Sequence, residues 1–275
     1  MPDIIEIDNT RTSWIQLSII LTIVCMVFYM LTMDNKVRSF EKEVFDEIYL
    51  INLDRRRDRL VQFMRNYNNS DMKTYSINKF NAIDGSKIDT ETVPITELAL
   101  LEMKQLETTG FRYKHYQLTK GAIGCYLSHI KVWENIMRNN HNVSLIFEDD
   151  ARPPPNFHRI INNYIKIIPD DWDIILLGKV CNECEDRGDY YKVKRFILLH
   201  SYLITRKAIE KIVRTDTLFP ISQQLDSYLS ELSDILNIYA VKKDVVRQAI
   251  TRTDIQAPLI KSSKNNDRSK IVVPR

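Results

Sequence analysis

A short segment, LIFEDDA at 145–151, constrains the fold of this chain more than any other. The run Val143 to Phe147 is apolar and partly β-branched, which is typical of a buried β-strand. Three carboxylates follow it at 148–150, and the prolines at 153–155 prevent the strand from continuing. Adjacent carboxylates near a core repel one another, whereas a hard divalent cation would bind their oxygens. The segment therefore predicts either a cation-binding strand end or a solvated acidic turn.

The rest of the composition is that of a globular α/β protein. The chain has 275 residues and 44% hydrophobic content, which fits one large domain or at most two small ones. Its 39 basic and 36 acidic residues nearly balance, so nothing in the charge favours nucleic-acid binding. With 6 glycines it has neither GxGxxG nor the P-loop pattern GxxxxGK[ST].

Strand-like and helix-like segments alternate along 45–255, which predicts an α/β fold with a mixed, mainly parallel sheet and flanking helices. They include a helix from Thr119 to Met137, where apolar residues recur at helical spacing, and a single strand from Phe196 to Ile204. In such sheets ligands bind outside the carboxyl ends of the strands. Polar or glycine residues stand at or just past the predicted strand ends: Asn52, Asp84, the acids at 148–150 and Gly178. We expect these positions to meet at one edge of the sheet.

A membrane anchor is predicted near the amino terminus. Trp14 to Met33 has no charged residue over 20 positions, enough to cross a bilayer as one helix. A cleaved signal peptide and a buried helix are the alternatives, but no small-residue cleavage site follows and the segment lacks a polar face. The anchor makes the protein single-pass, with the catalytic domain in the cytosol or in the ER or Golgi lumen.

The predicted organisation has five parts: a tail at 1–13, the anchor at 14–33, a linker at 34–44, a catalytic domain at 45–255 and a polar, basic tail at 256–275. Cys181 and Cys184 form a single CxxC, which is too little for a zinc ribbon. They are either a local disulfide or two free thiols in a loop, and we favour free thiols.

Blocks at six places resemble glycosyltransferase family 25 and occur in the order typical of that family. They are IYLINLDRRRDRL (48–60), FNAIDG (80–85), LTKGAIGCYLSHIKVWENIM (118–137), LIFEDDA (145–151), DWDIILLG (171–178) and HSYLITRKAIEKI (200–212). The resemblance implies a GT-A-like fold, a UDP-sugar donor (typically UDP-galactose) and a divalent cation, usually Mn²⁺. Ser227 stands where the family often has an aromatic residue, which leaves the acceptor open.

Two of the three acids are assigned to the cation, which would neutralise the leaving diphosphate. Asp150 is the leading metal ligand and Asp149 is a second ligand or a ribose contact. Glu148 is assigned to the donor site as a residue that orients the ligands. Asn52 could pair with the uracil edge, with an ordinary structural cap as the alternative.

Four further residues complete the predicted donor site. Asp84 and Gly85 could lie near the ribose, unless they form a plain Asp-Gly turn. Arg59 could hold a phosphate bidentately, whereas Arg55 to Arg57 are expected on a solvated helix face. His129 has a predicted donor-site role, with a satisfied structural histidine as the alternative.

Asp226 is the candidate general base for the acceptor hydroxyl, with a helix N-cap as the alternative. The predicted function is therefore a membrane-anchored, metal-dependent glycosyltransferase. It would move a hexose, galactose or glucose, from a UDP-sugar to a glycan or protein hydroxyl, with inversion. The competing hypotheses are an inactive glycosyltransferase-like binding or adhesion module and an unrelated metal-dependent phosphotransferase.

Overall fold

A computed structural model of the chain describes residues 22–29, 44–249 and 253–256. The chain divides into two compact units, Met1–Glu43 and Val44–Arg275. In the first unit, residues 22–29 form helix α1, whose side chains are exposed. No helix within the described ranges is long and apolar enough to cross a membrane. Most of the predicted anchor at 14–33 lies outside the described residues, so the anchor stays a prediction.

The second unit begins with strands and helices that carry the candidate site. They are β1 (Glu47–Asn52), α2 (Arg57–Asn68), β2 (Asn78–Asn81), a 3₁₀ turn η1 (Gly85–Lys87), α3 (Glu97–Thr109), α4 (Lys120–Asn139), β3 (Val143–Glu148) and β4 (Ala151–Arg152). The elements that follow complete the sheet and its cover. They are α5 (Phe157–Ile165), β5 (Ile174–Leu176), β6 (Val180–Asp186), β7 (Tyr190–Ile197), β8 (Ser201–Thr205), α6 (Arg206–Arg214), α7 (Leu225–Glu231), β9 (Ile238–Val241) and β10 (Arg247–Gln248).

The main sheet of the described chain has 8 strands in the order β2-β1-β3-β8-β5-β9-β7-β6. Strands β8 and β7 run antiparallel to both of their neighbours, and the other strands all point the same way. The mixed sheet and its flanking helices confirm the predicted α/β class. Because β2, β1 and β3 are parallel neighbours, their carboxyl ends meet at one edge.

Alternation along β1 explains why helices cover both faces of the sheet. Tyr49 and Ile51 pack in one hydrophobic cluster with Trp133 of α4. Ile48 and Leu50 point the other way and pack with Phe63 of α2 and Phe157 of α5. Successive strand residues face opposite sides, so one short apolar run joins both halves of the core.

Two sequence expectations for the later strands are wrong. The predicted single strand at 196–204 is the end of β7 and the start of β8, two strands that are not neighbours in the sheet, because the chain leaves β7 at Leu198, whose φ is +77°. The segment around Cys181 and Cys184 is strand β6 rather than a loop, and the two cysteines are joined by a disulfide. The expectation of two free thiols is therefore wrong, and the two cysteines lie where the register between β6 and β7 is irregular.

Candidate active site

A cleft opens at the carboxyl ends of β1 and β3, with a volume of about 510 Å³ including the part open to solvent. Its walls come from the first turns of α2 and α4, from the segment before η1, and from Asp254 and Ile255. Arg59, Gly85, His129, Glu148 and Asp149, all predicted from the sequence, line it. The cleft therefore lies where parallel strands are expected to present a ligand site.

Asp149 is held by two side chains on neighbouring elements. Ile51 pairs with Glu148 in the parallel register of β1 and β3, which places Asn52 beside Asp149. The Asn52 Nδ2 donates to Asp149 Oδ2 at 2.8 Å, and the Arg59 Nη1 donates to Asp149 Oδ1 at 3.0 Å. All three side chains are buried. Burial raises the pKa of Asp149, and the bonds from Asn52 and Arg59 oppose that rise.

Asp150 has an oxygen with no hydrogen-bond partner among the described residues. Its Oδ2 accepts from Gln248 Nε2 at 3.2 Å and lies 3.6 Å from Arg59 Nη1, but its buried Oδ1 has no such bond. Burial, together with the charge on Glu148, raises the pKa of Asp150 to about 7. A buried carboxylate oxygen without a donor is costly, and a cation would remove the cost. Asp150 and Asp149 thus fit a hard divalent cation.

Glu148 ends a hydrogen-bonded chain of buried side chains that the sequence did not reveal. The indole Nε1 of Trp133 donates to the Tyr202 hydroxyl at 3.0 Å. That hydroxyl lies 2.8 Å from His129 Nδ1, and His129 Nε2 lies 3.2 Å from Glu148 Oε1. Every hydrogen finds an acceptor if Tyr202 donates to Nδ1 and Nε2–H donates to Glu148. The chain of donors therefore fixes the ring of His129 and aims it at Glu148.

A second group of potential metal ligands lies in the same cleft. Ligand atoms of Cys125, His129 and Glu148 are all within 4.8 Å of one another. Metal binding through Nε2 would require its proton to move to Nδ1. The Tyr202 hydroxyl would then face two donors, and its own hydrogen would lose its acceptor. Among the described residues, Asp150 and Asp149 are therefore the better candidates for a cation.

Asp84 and Gly85 form the turn that packs against the start of α4. Asp84 caps η1 by accepting from Ser86 N at 3.1 Å, and it also accepts from Arg55 Nε at 2.9 Å. The bond from Arg55 lowers the pKa of Asp84 to about 2. A Cβ on Gly85 would lie 2.0 Å from the carbonyl oxygen of Lys120, so only glycine allows this approach. Gly85 thus packs against α4 and forms part of the cleft wall, whereas Asp84 is not among the residues that line the cleft.

Asp226 lies outside the set of side chains that line this cleft. It is in the first turn of α7, whose N-cap is Gln224, so the alternative role as an N-cap is wrong. Its Oδ2 accepts from Leu198 N at 3.0 Å and its Oδ1 from Ser227 N at 2.8 Å. Burial raises the pKa of Asp226 despite these backbone bonds. Asp226 is therefore a half-buried carboxylate that backbone N–H groups hold and whose pKa is raised.

Two of the three arginines that are expected on a solvated helix face also form ion pairs with a partly buried acid at the cleft. Arg55 Nη1 donates to Asp254 Oδ1 at 2.7 Å, and Arg56 donates to Asp254 Oδ2. Asp254 lies nearly 200 residues away in sequence, so no local pattern pointed to it. Arg55 and Arg57 are exposed, as expected, whereas the Arg56 side chain is 14% exposed where it contacts Asp254.

The chain is similar in sequence to a known family and to several of its named members. The family described as "Glycosyltransferase family 25 (LPS biosynthesis protein)" matches residues 45–226. Procollagen galactosyltransferase 1 of Danio rerio is 32% identical over 145 residues, which is 52% of this chain and 23% of the relative. Procollagen galactosyltransferase 2 of Mus musculus is 31% identical over 144 residues, which is 50% of this chain and 21% of the relative.

A third relative is named as having no activity. The inactive glycosyltransferase 25 family member 3 of Mus musculus is 28% identical over 145 residues, covering 52% of this chain and 23% of that protein. The alignments thus span about a fifth to a quarter of the length of these relatives.

Proposed function

This chain belongs to glycosyltransferase family 25, and from that premise we propose that it transfers a hexose from a UDP-sugar to a glycan or protein hydroxyl. The names of two relatives, procollagen galactosyltransferases, favour galactose over glucose and a protein acceptor over a glycan. The proposal includes a GT-A-like arrangement in which the donor lies at the carboxyl ends of β1 and β3.

The observation that carries the proposal is the buried Oδ1 of Asp150, which lacks a hydrogen-bond donor beside a second carboxylate. Asp150 and Asp149 would hold a divalent cation, Mn²⁺ by resemblance, and the cation would act as a Lewis acid toward the leaving diphosphate. Asn52 and Arg59 keep Asp149 in place, since both donate to its carboxylate. His129 holds Glu148, since its Nε2 lies 3.2 Å from Glu148 Oε1 and both residues line the cleft.

The transfer itself is a single displacement with inversion. A bond forms between the acceptor oxygen and the anomeric carbon while the bond from that carbon to the diphosphate oxygen breaks. The acceptor proton goes to Asp226, whose raised pKa suits a general base. Each carboxylate oxygen has two lone pairs, so the bonds from Leu198 N and Ser227 N leave capacity for a further hydrogen.

The test is turnover of UDP-galactose and UDP-glucose by the full chain, with Mn²⁺ and with EDTA. We expect UDP release only with the cation, and faster release from UDP-galactose. Calorimetry on the same samples should show UDP binding that requires the cation. Equal UDP affinity in Mn²⁺ and in EDTA would contradict the cation's role.

The second candidate function is a binding or adhesion module without turnover. Its support is the relative named as inactive, together with the engagement of both oxygens of Asp226 by backbone N–H groups. Cation-dependent UDP binding with no donor cleavage on any acceptor would favour this function over transfer.

Membrane anchoring through residues 14–33 belongs to the same proposal, since the stretch of 20 residues without charge supports it. Carbonate extraction should leave the full chain in the membrane pellet and release a form that lacks residues 1–38. A full chain that appears in the supernatant would exclude the anchor.

A further inference from the structure

Three arginines of the cleft converge on a single carboxylate. Arg55 Nη1 is 2.7 Å from Asp254 Oδ1, Arg56 Nη1 donates to Asp254 Oδ2, and Arg59 Nη2 is 3.7 Å from Asp254 Oδ2. The Asp254 side chain is largely buried in this contact, at 16% exposure. Burial alone would raise the pKa of Asp254, but the bonds from Arg55 and Arg56 lower it.

Each of these arginines also contacts an acid that the other two do not. Arg55 contacts Asp84 at 2.9 Å, and Arg56 contacts Asp58 at 2.9 Å. Arg59 contacts Asp149 and Asp150 at 3.0 Å and 3.6 Å. Asp254 is the acid that all three arginines contact, so the positive potential of the three guanidinium groups adds at its position. Guanidinium groups arranged in this way are suited to a phosphate, which offers more oxygens and more charge than a carboxylate.

The segment 253–256, here called the strap, is seated on the protein by contacts that do not involve the Asp254 carboxylate. Thr119 Oγ1 donates to the carbonyl oxygen of Ile255. Gln256 Oε1 accepts from the buried Arg112 at 2.8 Å. A Cβ on Gly121 would lie 2.2 Å from the Asp254 carbonyl oxygen, so glycine permits the backbone to approach. The strap can therefore stay in place while the carboxylate leaves the arginines.

We propose that Arg55, Arg56 and Arg59 form the site for the donor's diphosphate, and that the Asp254 carboxylate occupies this site until the diphosphate displaces it. The proposal rests on the proposed function, because it assigns the diphosphate of the UDP-sugar to a place in the same cleft. Asp254 acts as a built-in competitor: it keeps the arginines together in the empty cleft and weakens the binding of anions that cannot displace it.

The first experiment measures inorganic pyrophosphate binding to the full chain by calorimetry, with and without Mn²⁺. Asp254→Asn removes the charge that competes for the arginines, and it should tighten pyrophosphate binding about 10-fold. This is the order of magnitude expected when a carboxylate no longer competes with the ligand for charge-assisted hydrogen bonds. Asp58→Asn is the matched control, because it removes an exposed acid that contacts Arg56 away from the shared point. That control should change the affinity little.

The second variant, Arg55→Gln, tests the site by removing one of its three guanidinium groups. The Arg55 side chain is 46% exposed, so its replacement should leave the fold intact, as a melting curve would check. Pyrophosphate binding should weaken about 10-fold, and orthophosphate binding should weaken less because fewer oxygens reach the arginines.

The proposal is overturned if Asp254→Asn binds pyrophosphate no more tightly than Asp58→Asn, or if Arg55→Gln binds it as well as the wild type. Neither measurement uses turnover. If the variants show the expected changes in pyrophosphate affinity but the wild-type chain transfers no hexose, the proposed function alone is contradicted. If the wild type transfers hexose but the variants bind pyrophosphate as the wild type does, the diphosphate site alone is contradicted.

Discussion

Asp149 and Asp150 at the end of β3 are buried, the carboxylate on α7 is half-buried, and different groups hold them. Asp149 and Asp150 are bound mainly by side chains: Asn52, Arg59 and Gln248. Asp226 is bound by two backbone N–H groups, one at the left-handed Leu198 and one in its own helix.

The difference decides what each acid is free to do. Side-chain donors can move when a ligand arrives, and Asp150 Oδ1 has no hydrogen bond to lose within the described structure. Backbone donors are fixed by the fold, so Asp226 cannot turn without disturbing β7 and α7. We therefore expect the β3 acids to respond to a cation and Asp226 to keep one position throughout the reaction.

The largest expected effect is that of Asp150→Asn. The substitution keeps the size of the side chain and removes the charge that a cation needs, while it relieves repulsion with Glu148 and Asp149. We expect kcat to fall about 10³-fold or more, equivalent to about 4 kcal/mol of barrier, with no loss of thermal stability. Steady-state kinetics in Mn²⁺ and a melting curve check this. Retention of more than about a tenth of kcat would rule out Asp150 as the main ligand.

The second-largest effect is expected at Asp226. Two substitutions there distinguish the loss of a general base from the loss of structural hydrogen bonds. Asp226→Asn keeps an oxygen that can accept from Leu198 N or Ser227 N but cannot take a proton at neutral pH, whereas Asp226→Ala removes both acceptors. If Asp226 is the base, both variants lose about 10²-fold in kcat while UDP affinity is kept. Full activity in Asp226→Asn would show that only the hydrogen bonds matter.

A smaller effect is expected from Tyr202→Phe, which breaks the chain from Trp133 to Glu148. His129 loses the donor that fixes its ring, and the indole Nε1 of Trp133 loses its acceptor. We expect a stability loss of about 1–3 kcal/mol and a fall of about 10-fold in kcat/KM. Tyr228→Phe is the matched control, since the hydroxyl of Tyr228 contacts Thr217 and no residue of the cleft. Equal effects on activity from both variants would deny His129 a positioning role.

The smallest effect on activity is expected at the far edge of the sheet. Replacing Cys181 and Cys184 by serine removes the disulfide within β6, which contributes no side chain to the cleft. We expect a stability loss of about 1–2 kcal/mol, because the closed loop is short, and unchanged kcat and KM. Urea unfolding and kinetics of the double variant test this. A loss of turnover would connect the edge strand to the site.

Much of the fold was predictable because its signals are local. The apolar run that forms β3 and the helical spacing of apolar residues in α4 predicted both elements to within a few residues. The split between β7 and β8 was missed because Leu198 has no local signal for its left-handed conformation. β6 was missed because a polar edge strand lacks the alternation that marks a half-buried one.

The sequence by itself determined that acids follow a buried strand, that glycines stand where α4 begins, and which residue types are available for transfer chemistry. Only the tertiary structure decided that Asn52 and Arg59 hold Asp149, that Tyr202 aims His129, and that Asp254 lies among three arginines. The physical reason is distance along the chain. Burial and periodicity act over a few residues, whereas hydrogen bonds and ion pairs depend on which segments become neighbours in space; the parallel pairing of β1 with β3, for example, brings Asn52 to Asp149.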